Sequence, residues 1–189
     1  MKEIYLIRHG ETEWSREGKH TGLTDISLTE KGEKEALTLG KRLKGIHFDH
    51  IFSSPLKRVK ETCTICGFNP QIDKALLEWN YGAYEGVTSE EIYKTYPDWN
   101  IFTHGAPGGE STDDIVKRVD HFLKKIESLD GNIALFSSGH ISRALTIRWL
   151  ELPIQEGKRF SLSTGSLSIL GYEHKNRALK LWNDIPYHD

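Results

Sequence analysis

The sequence predicts an α/β fold, a three-layer α/β/α sandwich around a mostly parallel sheet, in a single domain spanning residues 1–189. Three observations carry this. Short unbroken apolar runs (Ile4–Ile7, Ile51–Ser53, Asn132–Phe136) have the length of buried strands. Helical periodicity follows each of them, and alternation of strands with helices is the pattern of a layered α/β domain. A chain of 189 residues is enough for one domain that buries a core without disulfides or a structural metal.

The elements read in order as follows. Ile4–Ile7 is a buried strand. A polar, glycine-punctuated stretch from Glu11 to Asp25 is too long for a mere connector and is a candidate binding loop. Ser27-Leu28-Thr29-Glu30 has capping-box spacing, and Ala36, Leu39 and Leu43 continue at helical intervals. The strand Ile51–Ser53 leads through Ser54-Pro55 into a helix near Leu56–Cys66, with proline suited to a helix start. The middle, Leu76 to Glu110, is irregular and rich in Trp and Tyr, with a short helix expected over Ser89–Tyr96. Its aromatics, Trp79, Trp99 and Phe102 among them, are expected to wall a pocket or to pack on the core. A long helix over Ser111–Leu129 places Ile115, Val119, Phe122 and Ile126 on one face. After the Asn132–Phe136 strand, Gly139-His140 opens a helix through Leu150 that Pro153 limits. Strands over Ser166–Tyr172 and Ala178–Trp182 close the chain.

Composition excludes several functional classes. The formal net charge is −2 and no block of like charge occurs, which argues against a nucleic-acid surface. No apolar run approaches a membrane span and no signal-like segment opens the chain, so a cytoplasmic protein is expected. The two cysteines, Cys63 and Cys66, have the C-x-x-C spacing of a redox pair. They fall late in a helix, however, where periodicity puts both on an inner face, and no second pair completes a zinc site.

Four scattered segments fall at strand ends or helix starts. They are Arg8-His9-Gly10-Glu11-Thr12, Ser53-Ser54-Pro55-Leu56-Lys57-Arg58, Leu77-Glu78-Trp79-Asn80-Tyr81-Gly82, and Ser137-Ser138-Gly139-His140. Carboxyl ends of strands are where α/β folds bind ligands. Each residue has a bland alternative: Arg58 pairing with Glu61, Glu78 as a solvated loop carboxylate, His140 beside a helix cap. Together they supply two arginines, two histidines and a carboxylate, the set that phosphoryl transfer through a histidine requires.

At these residues the chain resembles the histidine phosphatase superfamily, the phosphoglycerate-mutase-like proteins, whose mark is Arg-His-Gly ending the first strand. The likeness covers nearly the whole chain. It implies a phosphoglycerate-mutase-like fold and a metal-independent enzyme without cofactor, acting on a small-molecule phosphate ester with no nucleic-acid or membrane partner. It assigns His9 as the nucleophile that forms a phosphohistidine, and Arg8, Arg58 and His140 as the groups neutralising the phosphate. Backbone N–H groups at the start of the His140 helix would assist. Glu78 becomes the acid and base. Spacing alone does not reveal which histidine attacks. Ser15, Thr21, Gly22, Tyr81 and Ile141 fall on the substrate side of the same resemblance.

Within the superfamily, mutases carry adjacent arginines in a long middle segment, whereas Val87–Glu110 here has Lys94 and His104 but no arginine. This favours a phosphatase over a phosphoglycerate mutase. Glu13-Trp14-Ser15, Thr21-Gly22-Leu23-Thr24-Asp25, Glu78-Trp79-Asn80-Tyr81-Gly82, Trp99-Asn100-Ile101 and Gly139-His140 resemble the sedoheptulose-1,7-bisphosphatase-like branch. Two of these depart from most of the superfamily. Ser15 stands where an Asn is usual, which fits this branch, and Gly139-His140 replaces the commoner His-Gly order. Sparse charge in the middle segment, with only Lys19, His20 and His104 nearby, argues against a bisphosphate substrate. The competing reading from another class is a binding module that has lost catalysis, which the full set of Arg8, His9, Arg58, Glu78 and His140 disfavours.

Overall fold

A computed structural model of the chain describes residues 2–185. The six strands are β1 (Ile4–Arg8), β2 (His50–Ser53), β3 (Gln71–Ile72), β4 (Ile133–Ser137), β5 (Leu167–Glu173) and β6 (Asn176–Asp184). They form one sheet in the order β3-β2-β4-β1-β5-β6. The pairs β1–β4, β2–β4 and β2–β3 are parallel, while β5 runs antiparallel to both β1 and β6. The helices are α1 (Glu13–Arg16), α2 (Glu30–Leu43), α3 (Lys57–Ile65), α4 (Ser89–Tyr93), α5 (Ile101–His104), α6 (Thr112–Glu127) and α7 (Gly139–Trp149).

Side-chain alternation along the central strands builds the three layers. Ile4 and Leu6 of β1, with Ile133 and Leu135 of β4, face a core completed by Val119, Phe122 and Ile126 of α6 and Ala144, Leu145 and Trp149 of α7. Tyr5 and Ile7, with Ala134 and Phe136, face the opposite core under Leu39 and Leu43 of α2 and Val59 and Cys63 of α3. The sheet is thus apolar on both faces, as a helix-covered parallel sheet must be. Among the described residues no helix is long and apolar enough to cross a membrane.

Several expectations change in detail. Thr29, not Ser27, caps α2, its side chain accepting the Gly32 N–H. Helix α4 stops at Tyr93, short of Tyr96, because Pro97 disfavours helical backbone at the residue before it. Four-residue α1 and α5 and two-residue β3 are too short to leave a periodic signal. Ser111 caps α6, with Asp114 returning the bond. Trp79, Trp99 and Phe102 do not wall the pocket; they are buried in the core on the α6–α7 side. Cys63 and Cys66 are buried free thiols, and burial pushes each up to about 12, which suits inert packing and not redox exchange.

One close approach fixes the loop after β1. Gly10 lies on Gly32 of α2's first turn. A Cβ on Gly32 would sit 2.2 Å from the Glu11 carbonyl oxygen, and one on Gly10 would sit 2.3 Å from that of Gly32. Helix propensity alone predicts that Gly32→Ala stabilises by about 1 kcal/mol. The backbone clash predicts the reverse, a loss of roughly 1–3 kcal/mol. Urea unfolding with an unchanged slope decides between them, and a raised midpoint would refute the contact.

Candidate active site

Strands β1 and β4 lie side by side and parallel, with Arg8 opposite Ser137. The loops leaving their carboxyl ends therefore meet. The His9 N–H donates to the Ser137 carbonyl at 3.0 Å, which ties the two ends together. Above them opens a cleft of about 220 Å³.

His9 is only 4 % exposed. Its Nδ1 lies 2.7 Å from the Gly10 carbonyl oxygen. A carbonyl only accepts, so Nδ1 carries the proton and, in the neutral ring, Nε2 keeps the lone pair. Burial first, then the Arg58 and Arg8 guanidinium groups, hold the imidazole well below its usual 6.5. Arg58 Nε donates to that Nε2 at 3.2 Å.

Arg58 itself is fully buried. Its remaining nitrogens donate to the carbonyls of Thr24, Thr21 and Gly22 at 2.9–3.0 Å. It pairs with His9 and the 21–24 loop; Glu61 instead accepts the Leu28 N–H. Arg58 therefore stands behind His9 and does not line the cleft. Arg8 does line it. One Arg8 Nη donates to the Leu162 carbonyl, while its Nε is buried without a partner among the described residues.

Glu78 is 4 % exposed on the cleft wall. Its carboxylate accepts the N–H groups of Trp79, His140 and Ile141, each at 2.9 Å. The expectation that the first N–H groups of α7 reach toward phosphate is thus corrected: Glu78 takes two of them, because a carboxylate is the nearest anion to that positive helix end. The other acidic residues near the site are committed elsewhere. Glu11 binds Lys31 and Thr29, Glu85 accepts the Gly22 and Thr24 N–H groups, and Glu110 holds Arg118.

The His140 ring is on the cleft wall. Burial, then Arg143, His20 and Arg8, hold it well below 6.5, while burial keeps the Tyr81 phenol well above 10. Tyr81 Oη and His140 Nδ1 share a hydrogen bond whose direction follows the imidazole tautomer; with the phenol donating, the neutral ring carries its proton on Nε2. With glycine at 139, the commoner His-Gly order would set a histidine at 138. This chain has Ser138 there, buried and with a hydroxyl that has no partner among the described residues, and its imidazole comes from the first turn of α7 instead.

Of the residues singled out in the sequence, Arg8, His9, Ser15, Thr21, Glu78, Tyr81 and His140 line one cleft. Gly22 and Ile141 do not. The Gly22 carbonyl serves Arg58 and its N–H serves Glu85, and Ile141 is a core side chain whose N–H serves Glu78. Lys19 and His20 join the wall, but His104 lies in a separate cleft with Tyr96 and Trp99. Arg143 was missed. Its signal was its position in α7, three residues after His140 and so on the same helix face.

A profile described as the Histidine phosphatase superfamily (branch 1) matches residues 4–185. An acid phosphatase of Mycobacterium tuberculosis is 40% identical over 181 residues, covering 93% of this chain and 89% of the relative. The sedoheptulose 1,7-bisphosphatase of Saccharomyces cerevisiae is 30% identical over 185 residues, covering 80% and 68%. The solved structure of an open reading frame product of Mycobacterium tuberculosis superposes with a TM-score of 0.94 at 37% identity, covering 97% of this chain and 98% of that one.

The His9 geometry makes a spectroscopic prediction. ¹⁵N NMR of the imidazoles is expected to show His9 neutral with the proton on Nδ1 down to about pH 6, where an unperturbed histidine is largely protonated. A His9 titration centred near 6.5, or a proton resident on Nε2, would contradict the arrangement.

Proposed function

Because the chain belongs to the histidine phosphatase superfamily, we propose that its cleft hydrolyses a small phosphate monoester of the sugar-phosphate kind through a phosphohistidine on His9. The observation that carries this reading is the buried neutral imidazole, its proton tied to Gly10, its Nε2 met by Arg58 and its charge held down by Arg58 and Arg8. In the first step Nε2 attacks phosphorus and the P–O bond to the leaving group breaks. Arg8, whose Nε has no partner among the described residues, neutralises the phosphoryl oxygens, Arg58 adds positive charge from behind His9, and the His140 ring adds a polar contact. Attack requires Nε2 to release the Arg58 Nε–H that it accepts at 3.2 Å.

Glu78 manages the proton. An ester bound as its monoanion brings one proton, which Glu78 passes to the departing oxygen. In the second step the same carboxylate takes a proton from water, whose oxygen attacks phosphorus and breaks the P–N bond. Among the described residues that line the cleft, Glu78 is the acidic one. The scheme draws all its charge stabilisation from side chains and asks for no metal. Likeness to a sedoheptulose 1,7-bisphosphatase supports a sugar phosphate, and two buried cysteines that form no disulfide with each other accord with a cytoplasmic setting. Hydrolysis is favoured over mutase chemistry because the 87–110 segment brings no arginine to the cleft.

His9→Ala is expected to lower turnover by at least ~10³-fold with an unchanged fold. Activity should persist in EDTA and be blocked by vanadate; loss in EDTA restored by a divalent ion would favour a metallophosphatase. Glu78→Gln should slow bond cleavage far more for sugar phosphates than for p-nitrophenyl phosphate, whose leaving group departs without a proton. Rapid-quench measurement of the first turnover isolates that step from the later hydrolysis, and equal slowing of both substrates would remove Glu78 from the acid role.

A further inference from the structure

The arginines divide into two groups. Arg16, Arg42, Arg118, Arg148, Arg159 and Arg177 each pair with a carboxylate. Among the described residues, Arg8, Arg58 and Arg143 have no carboxylate within ion-pair distance, and all three stand at or behind the cleft. Arg8 and Arg58 flank His9. Arg143 is the remaining case, a guanidinium pulled down to about 10 mainly by burial, still cationic at neutral pH, yet without a counter-ion. A largely buried charge left unpaired is costly unless a ligand completes it.

Its geometry is fixed in advance. Nε and Nη2 clamp the Gly157 carbonyl at 3.1 and 2.7 Å, and the guanidinium stacks 4.6 Å over the Phe102 ring. Among the described residues Nη1 has no protein partner, it is not sealed from solvent, and Arg143 lines the cleft. The spacing along α7 sets the distance. The Arg8 guanidinium lies against Gly139, 3.2 Å from where a Cβ would sit. Arg143 is four residues further, about 6 Å along the helix axis. Two oriented forks are therefore stepped along one helix from the attacked phosphorus outward. Lys19, the other cation on the wall, is already paired with Glu17 at 2.7 Å.

We propose that Arg143 binds a second anion of the substrate, a carboxylate or a second phosphate a few bonds from the phosphoryl group that His9 receives. The inference rests on the phosphohydrolase reading and deepens it by naming the substrate class. It also answers the objection to a bisphosphate from the poorly charged middle segment, since α7 supplies the second cation, while the absence of the mutases' adjacent arginines still stands.

Calorimetric binding of three non-hydrolysable probes to the intact protein tests this without turnover: n-butylphosphonate, 4-phosphonobutyrate and 1,4-butanediphosphonate. Either or both of the doubly anionic probes should bind at least tenfold tighter than the monophosphonate, and the stronger arm identifies the second anion. Arg143→Gln should cut that advantage below threefold, and Arg143→Lys should retain part of it. Equal affinities for all three probes in the wild type, or an undiminished advantage in Arg143→Gln, would overturn the proposal. Should Arg143→Gln fail to fold, judged by its thermal melt, the wild-type comparison and Arg143→Lys decide alone. Hydrolysis of p-nitrophenyl phosphate is scored separately, so failure of the phosphatase reading is distinguishable from failure of the second-anion site.

Discussion

One proton, held on His9 Nδ1 by the Gly10 carbonyl, sets the terms for the rest of the cleft. It leaves Nε2 as the only ring nitrogen with a lone pair, and burial between two guanidinium groups keeps the ring neutral. Every neighbouring element serves that arrangement. The Gly10 N–H is anchored on Thr62 of α3 and its Cα lies on Gly32 of α2, so the carbonyl cannot swing away without disturbing two helices. Arg58, one turn before Thr62 on α3, is held by three carbonyls of the 21–24 loop. The loop, the helix and His9 are thus one connected unit.

Charge is arranged asymmetrically around this unit. Positive groups without protein counter-ions gather near the cleft, whereas the acidic residues around it are tied to backbone N–H groups or to bases. Glu78 is the informative case. Three N–H bonds hold its carboxylate in place beside His140, and the same helix end that anchors it carries Arg143 on its next turn. A single helix, α7, therefore positions the proposed acid, a donor imidazole and a cation.

Much of this was legible in the sequence, and the reasons differ by element. The α/β class and the strands β1, β2 and β4 follow from unbroken apolar runs, and α6 from a clean apolar stripe. The Arg8-His9 pair is readable because a strand end concentrates chemistry at a sheet edge. Thr29 as the α2 cap and the early end of α4 turn on single residues within capping or pre-proline contexts, where spacing alone admits two answers. The middle aromatics were ambiguous because burial and pocket-lining demand the same residue types. Arg58's retreat behind His9, and Gly22 and Ile141 serving through backbone atoms, are tertiary facts that no local pattern encodes. Arg143 looked like any helical arginine until the pairing of the other arginines set it apart.

The claim at the centre of this account is that phosphorus is taken up by Nε2 of His9. The most direct measurement is acid-sensitive trapping of the phosphoenzyme within one turnover, followed by site mapping and ³¹P NMR of the modified imidazole. The account predicts a stoichiometric, acid-labile phosphate on His9, bonded to Nε2. Phosphate on Nδ1, on His140, or on no histidine at all during active turnover would contradict it.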